Sequence, residues 1–216
     1  MPRVTALEPQ RNGERINVHL DGEFAFGLAA ITVQQFGLHV GRALSGEEID
    51  ALLSEDAFQR ALGRALVFLG YRPRSEDEVR RRLAKAKVEP LVIDRVVARL
   101  RQDRLLDDLD FARYWVENRA AFSPRGTRLL SLELRQKGVE REVVAEALGE
   151  ADEEEGALLA GRRRLRHYAG LDYRGFRQKM GGFLLRRGFA YETVRQAVNR
   201  LWQESQGELP AEATED

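Results

Sequence analysis

The residues best equipped for chemistry in this chain are runs of arginine: Arg80-Arg81-Arg82, Arg162-Arg163-Arg164 followed by Arg166, and Arg186-Arg187. A guanidinium is a permanent cation and a rigid donor fork matched to carboxylates and phosphates, so the chemistry on offer is anion recognition. The whole chain is formally neutral, with 35 Lys and Arg against 35 Asp and Glu, yet the signs are segregated. Residues 57–106 hold thirteen Arg/Lys against six Asp/Glu, and residues 157–203 hold eleven against two. Acids gather in residues 140–156, eight against one arginine, and in residues 204–216, five with no base. A single arginine is ordinarily just part of a solvated helix face. Surpluses of seven and nine exceed the sign mixing usual on surface helices, and they point to a polyanion or an acidic protein groove as partner. The contact candidates are Arg74, Arg81, Lys85, Arg125, Arg128, Arg135, Arg162, Arg163, Arg186 and Arg187.

No catalytic constellation accompanies them. The chain has no phosphate-cradling glycine loop, HExxH pair or nucleophile elbow. His19, His39 and His167 stand far apart, which favours structural roles over metal ligation. The acids of "DDLD", Asp107 to Asp110, could hold a metal, but at the start of a helix their simpler task is to cap free N–H groups and complement the helix dipole. Trp115, Trp202, Tyr114 and Phe183 have the spacing of helix–helix core residues. A non-enzyme without cofactor or metal is expected.

The elements that position the arginines come as a repeat. Leu130, Leu134, Val139, Val144 and Leu148 lie at offsets −4, 0, +5, +10 and +14 from Leu134. The same frame returns at Met180, Leu184, Phe189, Val194 and Val198, and upstream at Val79, Leu83, Val88, Ile93 and Val97, a period of about fifty residues. Each unit predicts two helices with a tight turn between them. Gly138 and Gly188 suit a left-handed residue just past the first helix; Lys87 holds that place in the first unit, where the turn must differ or bear strain. Ser75 with Glu78 forms a capping box, and Ser123-Pro124 predicts a helix start with proline at its first position. On the helix after Ser75, Val79, Leu83 and Ala86 are expected to face inward. A further helical stretch precedes each pair, at Phe58–Leu69, Phe111–Arg119 and Leu158–Tyr168, making three-helix modules. Leu129 and Leu132 lie off the Leu130/Leu134 face, so the middle module should have neighbours on both sides.

The first fifty residues alternate apolar and polar around Asn12-Gly13 and Asp21-Gly22, which predicts two or three antiparallel strands. "AAITVQQFG" predicts a short helix, and Ser45 with Glu48 caps another ending near Leu53. The fold class expected is mainly α: three tandem three-helix modules in an elongated, curved array, preceded by a small N-terminal antiparallel β region. The boundaries are 1–54 for that region, 55–106, 107–150 and 151–205 for the modules, and 206–216 for an acidic disordered tail. The acid-rich joint at 150–156 is a candidate hinge. With no cysteine, no apolar run of eighteen residues and no secretion signal, a cytoplasmic monomer without membrane contact is expected.

"RPRSEDEVRRRL", Arg72 to Leu83, and "LLDDLDFARYWVENRAAFSPRGTRLLSLELRQKGV", Leu105 to Val139, resemble the signature of the RecX family of RecA regulators. The match runs through Arg74, Ser75, Glu78 and Leu83. It continues through Asp107, Asp108, Phe111, Ala112, Trp115, Asn118, Arg119, Pro124, Arg125, Gly126, Glu133, Leu134, Gly138 and Val139. Val79 and Arg82 stand where the family often has leucine and lysine. The third module matches by its apolar frame, and the strand-bearing stretch lies outside these motifs. The resemblance implies a non-enzymatic inhibitor, acting in DNA repair, homologous recombination and the SOS response. Such a protein lies along the groove of the RecA nucleoprotein filament, bridges protomers, and suppresses ATP hydrolysis, strand exchange and co-cleavage of LexA. Weak non-specific DNA binding is also implied. The alternative from the helix pairs themselves is a helix-turn-helix transcription regulator. Against it, the candidate recognition helices open "EPLVID", "EREVV" and "AYETV", placing acids where phosphates would approach.

Overall fold

A computed structural model describes residues 1–11 and 13–207. Asn12 of the expected first turn and the expected tail from residue 208 onward lie outside the described residues. The chain divides after Leu106 into two compact units.

The first unit opens with strands β1 (Val4–Pro9), β2 (Arg15–Leu20) and β3 (Glu23–Ala29), an antiparallel sheet in the order β1-β2-β3. Asp21 and Gly22 both have positive φ, 50° and 92°, the geometry of the two-residue turn expected between β2 and β3. The short helix α1 (Ala30–Gln35) follows, then α2 (Gly46–Leu69). Here the sequence reading is corrected: a helix to Leu53 and another from Phe58 are one continuous helix, across the expected boundary at residue 54. The reason is tertiary. The first half of α2 packs Leu52 into the sheet core with Val4, Val18, Leu28 and Leu44, while Phe58, Ala61 and Ala65 enter the core of the first module. Asp56, only 2% exposed, sits at the changeover, where it accepts from Ala29 N (2.7 Å), Arg15 (3.2 Å) and Arg60 (3.0 Å). One buried carboxylate therefore ties the sheet to α2, and its charge is met by two cations and a backbone donor. Helices α3 (Glu76–Lys85) and α4 (Pro90–Gln102) complete the first module.

The second unit holds α5 (Asp108–Phe122), α6 (Thr127–Gln136) and α7 (Arg141–Gly149), then α8 (Glu153–Arg162), α9 (Tyr173–Arg186) and α10 (Tyr191–Gly207). The fold is mainly α, with three helical modules behind an antiparallel sheet. Two expected helix limits change. Leu158–Tyr168 is not one helix: α8 starts earlier because Asp152 caps it, accepting from Glu155 N at 2.9 Å, and after Arg162 the chain turns into a short 3-10 segment, Leu165–Tyr168. Ser123-Pro124 does not start a helix. Ser123 ends α5, and α6 begins at Thr127 behind Gly126. The expected capping boxes at Ser45/Glu48 and Ser75/Glu78 are both present, and Asp107 accepts from Leu109 N and Asp110 N at 2.7 and 3.0 Å, the capping role expected of "DDLD".

The three repeat turns close identically. Val88, Val139 and Phe189 donate their N–H to the carbonyls of Leu83, Leu134 and Leu184, while Lys87, Gly138 and Gly188 donate to Ala84, Arg135 and Leu185. This is the Schellman pairing, and it needs a left-handed residue. Gly138 and Gly188 supply it at φ 81° and 85°; Lys87 adopts it at φ 58°, so the first unit keeps the turn and accepts the strain of a side chain there. The frame residues are buried in all three modules except Val88 and Leu148, which are half-buried. Ala86, expected inward, is the exposed C-cap of α3, because the helix ends before its stripe reaches that residue.

Candidate partner-binding surface

The arginines of the second unit depend on how its two modules are joined, and the joint is built by two glycines. Gly126 N donates to Arg187 O at 2.9 Å, and a Cβ on Gly126 would lie 2.2 Å from Gly188 O. A Cβ on Gly188 would lie 2.5 Å from that of Leu129. Backbone thus meets backbone where the start of α6 docks on the α9–α10 turn, and Leu129 finds the neighbour expected for it. Leu132, expected to find one too, is 52% exposed. Polar contacts reinforce the seam. Arg187 donates to Pro124 O (3.0 Å), Arg163 donates to Phe122 O and Ala121 O (2.9 and 2.8 Å), and Glu153 accepts from Thr127 N (3.2 Å) and Ala190 N (3.3 Å). The stretch 150–156, expected from sequence as a candidate hinge, lies inside one compact unit, where Glu153 bridges Thr127 and Ala190.

This joint separates the candidate cations into two groups. Arg163 and Arg187 are engaged with backbone carbonyls, and Arg162 is held by Glu204 at 2.9 Å, which lowers the Glu204 pKa and raises that of Arg162. Arg125 contacts Glu133, a nearly buried carboxylate that also accepts from Trp115 Nε1 (2.8 Å) and Arg119 Nε (2.9 Å). Burial, then repulsion from Arg119 and Arg187, pushes the Arg125 pKa down, against the pull of that carboxylate. The Glu133 cluster was not foreseen, because a lone glutamate on a helix carries no sequence signal of the tryptophan it will meet. Arg128, Arg135 and Arg186 remain exposed, with no carboxylate partner among the described residues. They line one open groove of about 520 Å³ between α6 and the end of α9, whose apolar lining is Leu129, Leu132 and Leu185.

Next to this groove, and sharing Leu185, is a trough of about 770 Å³ between α9 and α10. It is lined by Arg174, Arg177, Arg195, Tyr173 and Tyr191, and no acid contributes to either lining. Sequence reasoning counted these arginines in the surplus but did not single them out, because they stand alone in the chain and only folding brings them together.

In the first unit the candidates are differently placed. Arg81 pairs with Asp77 at 2.7 Å, Arg74 lies over the Phe68 ring at 3.9 Å, and Lys85 is exposed. His19 meets Glu8 at 3.4 Å, and His39 meets the Gly37 carbonyl at 3.0 Å. No helix among the described residues is long and apolar enough to cross a membrane.

Models of four domains of one family match this chain in order. They are the "Regulatory protein RecX N-terminal domain" at residues 2–45 and the first, second and third RecX three-helix domains at 61–100, 107–148 and 152–198. The chain belongs to the RecX family. The strand region, outside the sequence motifs, thus has a RecX domain of its own. Among relatives named "Regulatory protein RecX", that of Leuconostoc mesenteroides is 30% identical over 98% of this chain and 80% of its own length. The Bacillus subtilis protein is 30% identical over 99% and 82%, and that of Lactobacillus johnsonii 32% over 95% and 77%. A crystal structure of regulatory protein RecX superposes with a TM-score of 0.76 at 25% identity, covering 92% of this chain and all of the other. The RecX structure from Lactobacillus salivarius shares the fold at TM-score 0.63 and 22% identity over 69% of this chain.

Proposed function

We propose that this RecX-family chain is a non-enzymatic regulator that inhibits RecA by binding along the groove of its filament on DNA. It bridges protomers there, so that ATP hydrolysis, strand exchange and LexA co-cleavage are suppressed. The observation that carries this reading is the acid-free groove of Arg128, Arg135 and Arg186 with Leu132 and Leu185 exposed beside them. Three unneutralised cations next to apolar surface suit an acidic protein face better than bare phosphates, which offer nothing to a leucine. Lys85 and Arg81 in the first module are secondary contacts, and Arg125, Arg162, Arg163 and Arg187 act by holding the scaffold. The family name of the relatives supports a regulatory role, and the acids at the starts of the second helices, Glu142 and Glu192, weigh against insertion into a major groove.

The test is ATP turnover by RecA assembled on single-stranded DNA, with filament length followed in parallel. Arg128→Glu, Arg135→Glu and Arg186→Glu together are expected to raise the half-inhibitory concentration by 30-fold or more, on the order of 2 kcal/mol. Unchanged inhibition by a folded triple variant defeats the contact assignment, and absence of any inhibition by the wild-type chain defeats the function.

A further inference from the structure

We propose that the segment from Glu208 to Asp216 folds back on the third module as an internal occupant. Leu209 seats in a recess beside Trp202, and Glu212, Glu215 and Asp216 meet Arg174, Arg177 and Arg195 in the trough between α9 and α10. Complementary charge is the first support. Arg174 and Arg177 have no carboxylate partner among the described residues, Arg195 has only the exposed Glu192 at the rim (2.6 Å), and no acid lines the trough. Residues 208–216, ELPAEATED, carry four acids and no base. Unmatched cations thus have unmatched carboxylates within the same stretch of chain.

The second support is the recess. It measures about 190 Å³, is lined by Leu165, Tyr168, Leu171, Phe176 and Trp202, and opens beside Ser205 and Gln206 in the last turn of α10. Leu209, three residues after Gln206, is the only large apolar residue of the segment, and Pro210 behind it cannot continue a helix. Trp202 also makes an edge contact with Tyr173, which lines the trough, so one ring adjoins both sites.

Reach is the third. Asn199, hydrogen-bonded to Tyr173 at 2.8 Å, marks the near end of the trough. From Gly207 back along α10 to Asn199 is about 12 Å, and to Arg195 about 18 Å, at about 1.5 Å per residue. An extended chain spans at most about 3.6 Å per residue, which takes Glu212 about 18 Å from Gly207 and Asp216 about 32 Å. The groove of Arg128, Arg135 and Arg186 opens past Tyr191, about 24 Å back before any sideways step, and so lies at the limit of that reach. Exposed ion pairs are individually weak, but tethering raises the local concentration of the segment to the millimolar range, so the contact forms and releases readily. The segment acts as an internal competitor: an anion enters the trough only by displacing it, which favours partners of high charge over simple salts.

The experiment is paramagnetic broadening in the full chain. With no cysteine in the sequence, Ala213→Cys provides a unique thiol for a nitroxide label. In low salt the amide signals of Arg177, Gly181 and Gly182 should lose about half their intensity or more, and they should recover in 1 M NaCl, where charges are screened beyond about 3 Å. Glu212→Lys, Glu215→Lys and Asp216→Lys together should abolish the broadening. Adding Arg174→Glu, Arg177→Glu and Arg195→Glu to that variant should restore it, because the charges are then exchanged and still complementary. Leu209→Ser should reduce the broadening by at least half without altering its salt dependence. Isotope-labelled chain without the nitroxide, mixed with nitroxide-labelled chain, should show none at the trough, since the contact is within one molecule. Absence of broadening at the trough, its persistence in 1 M NaCl, its appearance in the mixed sample, indifference to Leu209→Ser, or failure of the exchanged variant to regain it with unaltered circular dichroism overturns the proposal. None of these outcomes depends on RecA, so the filament reading stands or falls separately by its own groove variant.

Discussion

The first and third modules carry similar basic surpluses in sequence and use them in opposite ways. In the first, Arg80 is held between Glu76 (2.8 Å) and Asp94 (2.6 Å), Arg72 pairs with Glu78 (2.8 Å), Arg99 with Asp103 (2.7 Å), and Arg101 with Glu76. Five of the six acids of residues 57–106, joined by Glu55 and Asp56 just before them, engage seven of the eleven arginines, so the local field is weaker than a residue count implies. In the third, Arg174, Arg177 and Arg186 have no carboxylate near enough to pair among the described residues, and their charge is directed into two grooves. Surplus along a chain measures supply; the outward field depends on which cations folding leaves unmatched.

The largest effect expected from disturbing this contrast is at the joint that brings the grooves together. Gly126→Val must displace backbone at Gly188, and a loss of about 3 kcal/mol or more is expected in urea unfolding, with inhibition of RecA falling alongside. Next, Glu133→Gln removes the charge shared by Trp115, Arg119 and Arg125. A loss of about 2 kcal/mol is expected, with inhibition of RecA altered less than twofold once the protein is folded. Reversing Arg81 in the first module should change inhibition less than threefold, because Asp77 already neutralises it and exposed i,i+4 pairs contribute only about 0.5 kcal/mol. An effect on the scale of the Arg128/Arg135/Arg186 variant would break the comparison. Lys87→Gly should stabilise by about 0.5–1 kcal/mol by relieving the left-handed side chain that the third module avoids with Gly188.

The smallest expected effect is on pH dependence. Glu204 and Glu48 have folded-state pKa values below 4.5, through Arg162 in the first case and through the Ser45 backbone and Arg42 in the second. A depressed carboxylate contributes stability that is fully present above its unfolded pKa and is lost as pH falls through the folded one. The melting temperature should therefore be flat from pH 7 to about 5 and decline below about 4.5, and Glu204→Gln should shallow that decline. A decline beginning above pH 6 would assign the acid sensitivity to other groups.

Much of the scaffold was legible because its determinants are local. The apolar frame, the capping boxes at Ser45 and Ser75, the cap at Asp107 and the left-handed turn residues each act within about four residues, where period and side-chain type carry the information. The errors share one origin. Continuity of α2 is enforced by Asp56 meeting Arg15, 41 residues earlier, and the true start of α6 is fixed by Gly126 meeting Arg187. Neither pairing has a local signature.

The sequence alone determined the number of modules, the helices within them, the buried side of each repeat helix and the sign of the charge available for a partner. Only the tertiary structure decided which arginines are spent on internal carboxylates and carbonyls and which are gathered, acid-free, around two grooves. The physical reason is range: helix stripes and caps are interactions along the chain, whereas neutralising or concentrating charge depends on distances between residues such as Arg162 and Glu204, 42 positions apart, that only folding sets.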